Sequence, residues 1–393
     1  MKILYLTLED LSLHKGSVIH IKEIIAGLRK RGHRIGLIGR SSNRSEEADY
    51  FYNLQYGPLS FPKWFRSGWC SYPILCINLF LCLFRVLRRY DLIYAREFHT
   101  VVIAFVPRLV FHKKLVFEIN GIANEEYRMK GDSIPNRVCA FLIEKAERFA
   151  CAYSDRIVSV TPQIGSYLVQ RYRADRAKIF SISNGVNTRK FFPIGNEQAL
   201  NERRTRVGIG PKDKVITFVG NLAPWQGVEL LIGAAPGVMS EIEGVKFLII
   251  GDGKSREEYE REVGRLGLRS HFIFTGMVDY KEIPLYINLS DICVLPKRRL
   301  KSGYSPIKLY EYMACGKPVI ATKMEGLGVI EEAGAGRLTD LEDRKGLEEA
   351  MKELLKDRAK RMEMGRKGLK MVRERFDWML KVIEIEEVLR NLA

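Results

Sequence analysis

The 393-residue chain has only seven cysteines, Cys70, Cys76, Cys82, Cys139, Cys151, Cys293 and Cys315, and no two of them form a C-x-x-C pair. That excludes a zinc knuckle and leaves a disulfide framework without support, so a reducing, cytoplasmic compartment is expected. No D-x-D pair occurs either, and no metal is expected in the site. The longest apolar stretch, "GWCSYPILCINLFLCLFRVLRRYD", meets Arg85 before reaching the roughly 20 residues that a bilayer span requires. It reads either as a buried helix of an α/β layer or as a helix lying in a membrane interface, with Arg85, Arg88 and Arg89 at the headgroups. The opening "MKILYLTLED" turns acidic before an apolar core or cleavage site develops, so no signal peptide is expected.

Acidic residues are scarce in one half only. Residues 1–200 hold 30 basic against 17 acidic residues, whereas the remainder holds 34 against 30. A field of that sign favours phosphate-bearing partners such as an anionic membrane surface, a lipid phosphate or nucleic acid, unless it only reflects a generally basic proteome. With 46% hydrophobic and 28% charged residues the composition is globular. The length exceeds what a single hydrophobic core usually reaches, so two domains are expected.

Short Val/Ile-rich runs alternate with amphipathic stretches, the pattern of parallel β-α-β units. "KILYLTL", "RIGLIG", "LIYA", "KLVFEIN", "RIVSV" and "KIFSI" read as strands of a first sheet, and "SVIHIKEIIAGLRKRG" as a helix stopped by Gly32 in a left-handed cap. Residues 185–213 are rich in turn formers and charge and read as a linker. The alternation restarts with "VITFVG", "KFLIIGDG", "FIFTG", "ICVLP" and "PVIAT". The expected architecture is α/β, two Rossmann-like doubly wound parallel-sheet domains at residues 1–190 and 191–375. A last helix at 376–393 is expected to cross back to the first domain. In such sheets ligands bind beyond the carboxyl ends of the strands.

Glycine loops follow several strands: Gly16 before a helix, Gly220 and Gly227 in "VGNLAPWQGVELL", Gly251 in "GDGKSREE". Each lets backbone amides approach an anion, but none completes G-x-G-x-x-G. "GYSPIKLYEYMACGKP" is more informative. Ser305-Pro306 reads as a helix start, which puts Lys308 in the first turn, where a cation opposes the helix dipole at a cost of roughly 0.3–1 kcal/mol. Lys308 and Glu311 share a helix face. An ammonium with Lys297, Arg298 or Arg299 nearby would suit a diphosphate, and a carboxylate one turn on would suit sugar hydroxyls.

"SPIKLYEYMACGKPVIAT" resembles the donor-site motif of glycosyltransferase family 4, the group 1 glycosyltransferases, retaining enzymes of the GT-B fold that use nucleotide diphosphate sugars. "HKGSVIHIKEIIAGLRKRGH", "KLVFEINGIANEE", "IFSISNGVNTRKFFP" and "FVGNLAPWQGVELLI" resemble further family motifs, in the family's order along the whole chain. The resemblance implies that Glu311 bonds the nucleotide ribose and that Ser305, Pro306, Ile307 and Lys308 form the turn meeting the phosphates. A nucleotide base also needs main-chain contacts, and the "TGMV" turn near Val278 is a candidate to make them. Four positions depart from the family. Gly303 stands at the first glutamate of E-x7-E, neutral Asn221 and Gln226 stand at the paired diphosphate cations, and Asn120 stands at a histidine near the reacting sugar. Lys308 is the natural replacement for the missing cations, which makes it, with Asn120, a catalytic candidate. His99 and Glu118 are candidates to line the acceptor side, though either would also serve as a structural residue.

The expectation is therefore a metal-independent retaining glycosyltransferase of the hexosyltransferase type, without cofactor. It would take a nucleotide sugar donor and a glycan or lipid-phosphate-linked acceptor. It would work in the cytoplasm, free or peripheral on the inner face of the cell membrane. A sugar-nucleotide epimerase of the same fold is an alternative weakened by Gly303. A basic, non-catalytic binding protein is the other, with nucleic acid the less favoured ligand.

Overall fold

The computed structural model describes residues 1–13, 15–41, 47–54, 71–128, 133–298 and 305–392. Its strands are the apolar runs picked out above, because a strand covered on both faces needs an unbroken apolar sequence. The first sheet contains β1 (Lys2–Asp10), β2 (Arg34–Arg40), β3 (Tyr50–Asn53), β4 (Leu92–Arg96), β5 (Lys114–Ile119), β6 (Arg156–Ser159) and β7 (Ile179–Ser181). These are parallel, in the order β3-β2-β1-β4-β5-β6-β7. The helices between them are α1 (Gly16–Lys30), α2 (Ser71–Val86), α3 (Phe98–Val110), α4 (Ala123–Arg128), α5 (Ile134–Tyr153) and α6 (Pro162–Tyr172). As expected, α1 is closed by Gly32 at φ +86°. The apolar stretch around Leu79 forms α2, whose Leu75, Leu79, Leu83 and Val86 enter the core. No helix among the described residues is long and apolar enough to cross a membrane.

The second sheet contains β8 (Lys214–Val219), β9 (Val245–Ile250), β10 (Phe272–Gly276), β11 (Ile292–Leu295), β12 (Val319–Thr322) and β13 (Gly336–Thr339), in the order β10-β9-β8-β11-β12-β13. It is accompanied by α7 (Glu197–Arg206), α8 (Val228–Met239), α9 (Arg256–Arg265), α10 (Ile283–Asn288), α11 (Ile307–Ala314), α12 (Val329–Glu332), α13 (Arg344–Lys356) and α14 (Arg358–Arg375). Alternate residues of β8 feed two cores: Val215 and Val219 on one face, Ile216 and Phe218 on the other. Sequence reading missed β3 and β13. Both are edge strands with a neighbour on one side only and mostly half-buried or exposed residues, so neither, as YFYN or GRLT, carries an aliphatic run.

Two compact units result, residues 1–184 with 378–393, and residues 185–377. The stretch expected to be a linker is instead the start of the second unit. It carries α7 (Glu197–Arg206) and buries Phe191 and Ile209. Arg204 anchors it through the carbonyls of Gly210 and Asp213 at 2.8 Å each. Its polar composition hid this, because the segment is held by arginine–carbonyl bonds more than by apolar burial.

The last helix, α15 (Trp378–Arg390), belongs to the first unit and packs on α1 so closely that a Cβ on Gly27 would lie 2.4 Å from Val382 Cγ2. Buried Glu386 fastens it, accepting from Arg31 Nε at 2.7 Å and from Arg390 Nη2 at 2.7 Å, with His33 Nε2 at 2.8 Å. Burial opposes its ionisation, but these three partners prevail and hold its carboxyl at about 2. A depressed carboxyl stabilises the fold above its unfolded pKa of about 4.5 and ceases to as pH falls towards 2. Glu386→Gln should therefore lower the unfolding temperature of the first unit at pH 7, by the equivalent of roughly 1–3 kcal/mol, and the wild-type advantage should shrink below pH 4.5. An equal difference at pH 7 and pH 3 would contradict this.

Candidate functional site in the second unit

In the second sheet the strand order reverses between β8 and β11, so the loops leaving their carboxyl ends diverge and open a crevice. β8 runs into Gly220 and Asn221, and β11 into Pro296 and Lys297. Glycine is required where these loops meet. A Cβ on Gly227, at φ +73°, would lie 1.6 Å from the Pro296 carbonyl oxygen, and one on Gly220, at φ +145°, 2.1 Å from Lys308 Nζ. Gly251, at the end of β9, lies under the same loop, donating to Gly276 O at 3.0 Å with its α-carbon against the Gly220 carbonyl.

α11 (Ile307–Ala314) opens on this crevice. One expectation is corrected here: Pro306 is itself the cap residue, in an extended conformation, and no side chain caps the helix. Ser305 lies one residue too far back for its hydroxyl to act as the cap. Ile307 is therefore the first helical residue and Lys308 the second. Lys308 donates to Gln226 Oε1 at 3.3 Å and lies 4.7 Å above the centre of the Phe218 ring. Desolvation lowers its pKa to about 8, with Glu311 acting in the other direction. Lys297 is buried nearby, and desolvation together with the Lys308 charge moves its pKa well below the usual lysine range. One turn along α11, buried Glu311 accepts from Tyr280 Oη at 2.7 Å, and burial raises its carboxyl to about 7.

The second unit thus brings Gly220, Gln226, Gly251, Lys297, Ile307, Lys308 and Glu311 to one end of its sheet. Asn221 is exposed at the rim, its side-chain oxygen against Gly253. Val278 lies in the loop after β10, packed on the core. Arg298 is engaged elsewhere, with Glu229 at 2.7 Å. Arg299 and Gly303 lie outside the described residues. Gly16 opens α1 in the first unit and does not share a compact unit with Lys308.

In the first unit the matching reversal falls between β1 and β4, and a buried polar group occupies the strand ends there. Glu118 of β5 meets His20 Nε2 at 2.7 Å and Arg96 Nε at 3.3 Å, and accepts from Asn120 Nδ2 at 2.7 Å. Burial alone would raise its pKa, yet His20, Arg96 and Asn120 together hold it at about 2. His20 Nδ1 lies 2.6 Å from Asn184 Oδ1. Beside this group Glu97 sits at φ +64°, an uncommon conformation for a side-chain-bearing residue, with desolvation raising its carboxyl to about 7. His99 is packed between the rings of Phe98 and Tyr72, and burial lowers its pKa to about 4. His20, Arg96, Glu97, Phe218 and Tyr280 escaped sequence reading. His20 follows Gly16 by one helical turn, but nothing in its spacing points to Glu118, nearly a hundred residues away.

Two Rossmann-like units, one with buried Lys297 beside half-buried Lys308 and a helix start at its switch point, define an α/β protein suited to an anionic nucleotide. Residues 14–190 match the family described as Glycosyltransferase Family 4, and residues 201–371 match Glycosyl transferases group 1. The chain belongs to these glycosyltransferases, and its fold is GT-B. An uncharacterized glycosyltransferase of Methanocaldococcus jannaschii is 26% identical over 317 residues, 79% of this chain and 77% of that protein. A GDP-mannose-dependent phosphatidylinositol monomannoside mannosyltransferase of Mycolicibacterium smegmatis is 27% identical over 210 residues, 52% of this chain and 54% of its own length. Among solved structures, Anabaena HepE in complex with UDP superposes over the full length of both chains with a TM-score of 0.77 at 19% identity.

Proposed function

We propose that the protein moves a hexose, with retention of anomeric configuration, from a nucleoside diphosphate sugar to a lipid-linked or other glycan acceptor. The observation that carries the donor assignment is the pairing of Lys308 with Lys297 at the switch-point end of the second sheet, where a helix without a side-chain cap begins. Burial disfavours the charged form of both ammonium groups, and the Lys308 charge lowers the pKa of Lys297 further, so a diphosphate beside them would favour their protonated forms. Lys308 then stabilises the charge that develops as the bond between the anomeric carbon and the phosphate oxygen breaks. The acceptor hydroxyl attacks on the same face and gives its proton to the departing phosphate oxygen. Glu311 bonds the ribose hydroxyls, Val278 borders the base, and Asn120 is left to orient a sugar hydroxyl. The uridine nucleotide held by HepE and the lipid acceptor in the mycobacterial relative's name support the two substrate classes.

Because the lysines supply positive charge, turnover is expected to continue in EDTA. Calorimetric titration with UDP, GDP and ADP, followed by NMR of the product's anomeric proton, tests the proposal. Binding of none of the three, an inverted product, or loss of turnover on chelation would each remove the corresponding part.

A further inference from the structure

Of the nineteen large apolar side chains that are exposed among the described residues, twelve lie on α2, α3 and α5 of the first unit. On α3, Val102, Val106, Leu109 and Val110 are exposed, while Val101, Ala104 and Pro107 face the core. On α5, Ile134, Val138, Phe141 and Leu142 are exposed, opposite buried Ala140, Glu147 and Ala150. Both sets have the spacing i, i+4, i+7, i+8, so each helix carries a second apolar stripe pointing away from the core. Phe105 of α3 contacts Phe149 and Tyr153 of α5 at 4.9 Å each, and Tyr72 of α2 contacts His99 of α3, which makes the three helices one surface.

The charges around the stripes are of one sign. Residues 71–114 hold seven basic and two acidic residues; Arg96 is buried on Glu97 and Glu118, and Arg108 and Lys114 face Asp155, which leaves Arg85, Arg88, Arg89 and Lys113. One of the two acids in this stretch, Asp91, accepts from Lys2 N at 2.7 Å, and the other, Glu97, accepts from Thr7 and Leu8. The two acids of α5 are also engaged: Glu147 is buried at the start of α4, and Glu144 pairs with Arg128 and Arg171. Lys145 lies 5.1 Å above the Phe141 ring and Arg88 5.3 Å above Phe111, so cations border the apolar rows.

We infer that this face of α2, α3 and α5 docks on an anionic lipid bilayer, with the stripes entering the headgroup boundary and the cations meeting lipid phosphates. The acyl boundary accepts aliphatic rows on a convex helical surface without a complementary partner shape, and Arg85, Arg88, Arg89 and Lys113 select anionic lipid. The exposed row of α5 lies in its first half, at the end of the first sheet where ligands bind, so the bilayer would deliver an acceptor headgroup to that end. The inference deepens the proposed membrane-presented acceptor and rests on it.

The test is flotation of the full chain with phosphatidylcholine vesicles, with and without phosphatidylglycerol, beside the triple variant Ile134→Ser, Phe141→Ser, Leu142→Ser. The wild type should float with phosphatidylglycerol at low salt, should release as salt rises, and should bind at least tenfold more than the variant. The variant changes exposed residues only, so its thermal unfolding and its binding of UDP, GDP or ADP should match the wild type. Failure of the wild type to float, or equal flotation of the variant, overturns the inference. So does a wild-type dimer in sedimentation that the variant converts to monomer without any vesicle binding, since the face would then join two copies. Loss of nucleotide binding in the wild type would instead strike the proposed donor site and leave flotation unaffected.

Discussion

Lys308→Ala is expected to reduce turnover by on the order of 10²–10³ while leaving the unfolding temperature nearly unchanged. Both halves follow from the surroundings of this side chain. Its hydrogen bond to Gln226 is long, at 3.3 Å, and its cation lies over the Phe218 ring in a site that lowers its pKa to about 8. A partly desolvated cation contributes little to the resting fold, so its loss costs little there. In the proposed reaction it faces the departing diphosphate in the transition state, where that charge would have most effect. A pH dependence follows with a definite sign. The protonated amine is the active form, so kcat/KM should fall as pH rises through about 8 in the free enzyme, and a bound anion should move that limb upward. Steady-state rates with UDP-, GDP- and ADP-sugars across pH 6–10 measure both. Activity of the variant within a few-fold of wild type would remove Lys308 from the chemistry.

The second large effect is on stability. Glu118→Ala should destabilise the first unit by about 3–5 kcal/mol, because it leaves Arg96 and His20 buried without their carboxylate. Glu118→Gln should cost less, since an amide keeps part of the hydrogen bonding. The wild-type contribution is present at neutral pH and should be lost only as pH falls below about 4.5 towards 2. Thermal unfolding of the three proteins at pH 7 decides it. An alanine variant as stable as wild type would show that this group is solvated and that burial does not govern it.

Much of the donor end could be read from the sequence because its residues are close together. Lys308 and Glu311 share one short helix, and a helix face is fixed by spacing alone. The cation in the first turn of α11 was visible as a local misfit, and the glycines at 220, 227 and 251 marked tight turns. Residues contributed by other elements were not legible. Phe218 beneath the lysine, Tyr280 on Glu311 and the depression of Lys297 by Lys308 depend on which loops the sheet order brings together. Ser305 illustrates a different limit. Its type and its neighbour suggested a cap, but proline took that position and the hydroxyl fell one residue short.

The sequence by itself determined the two-sheet α/β plan and the strands that carry an aliphatic run, because buried parallel strands demand unbroken apolar residues. It also determined the segment that opens on the crevice, through helical spacing. Only the tertiary structure decided that residues 185–213 form part of the second unit, that α15 closes the first, and that His20, Arg96 and Glu118 share one buried charge group. Those outcomes depend on contacts between residues tens to hundreds of positions apart, and such contacts leave no periodic signal in the chain.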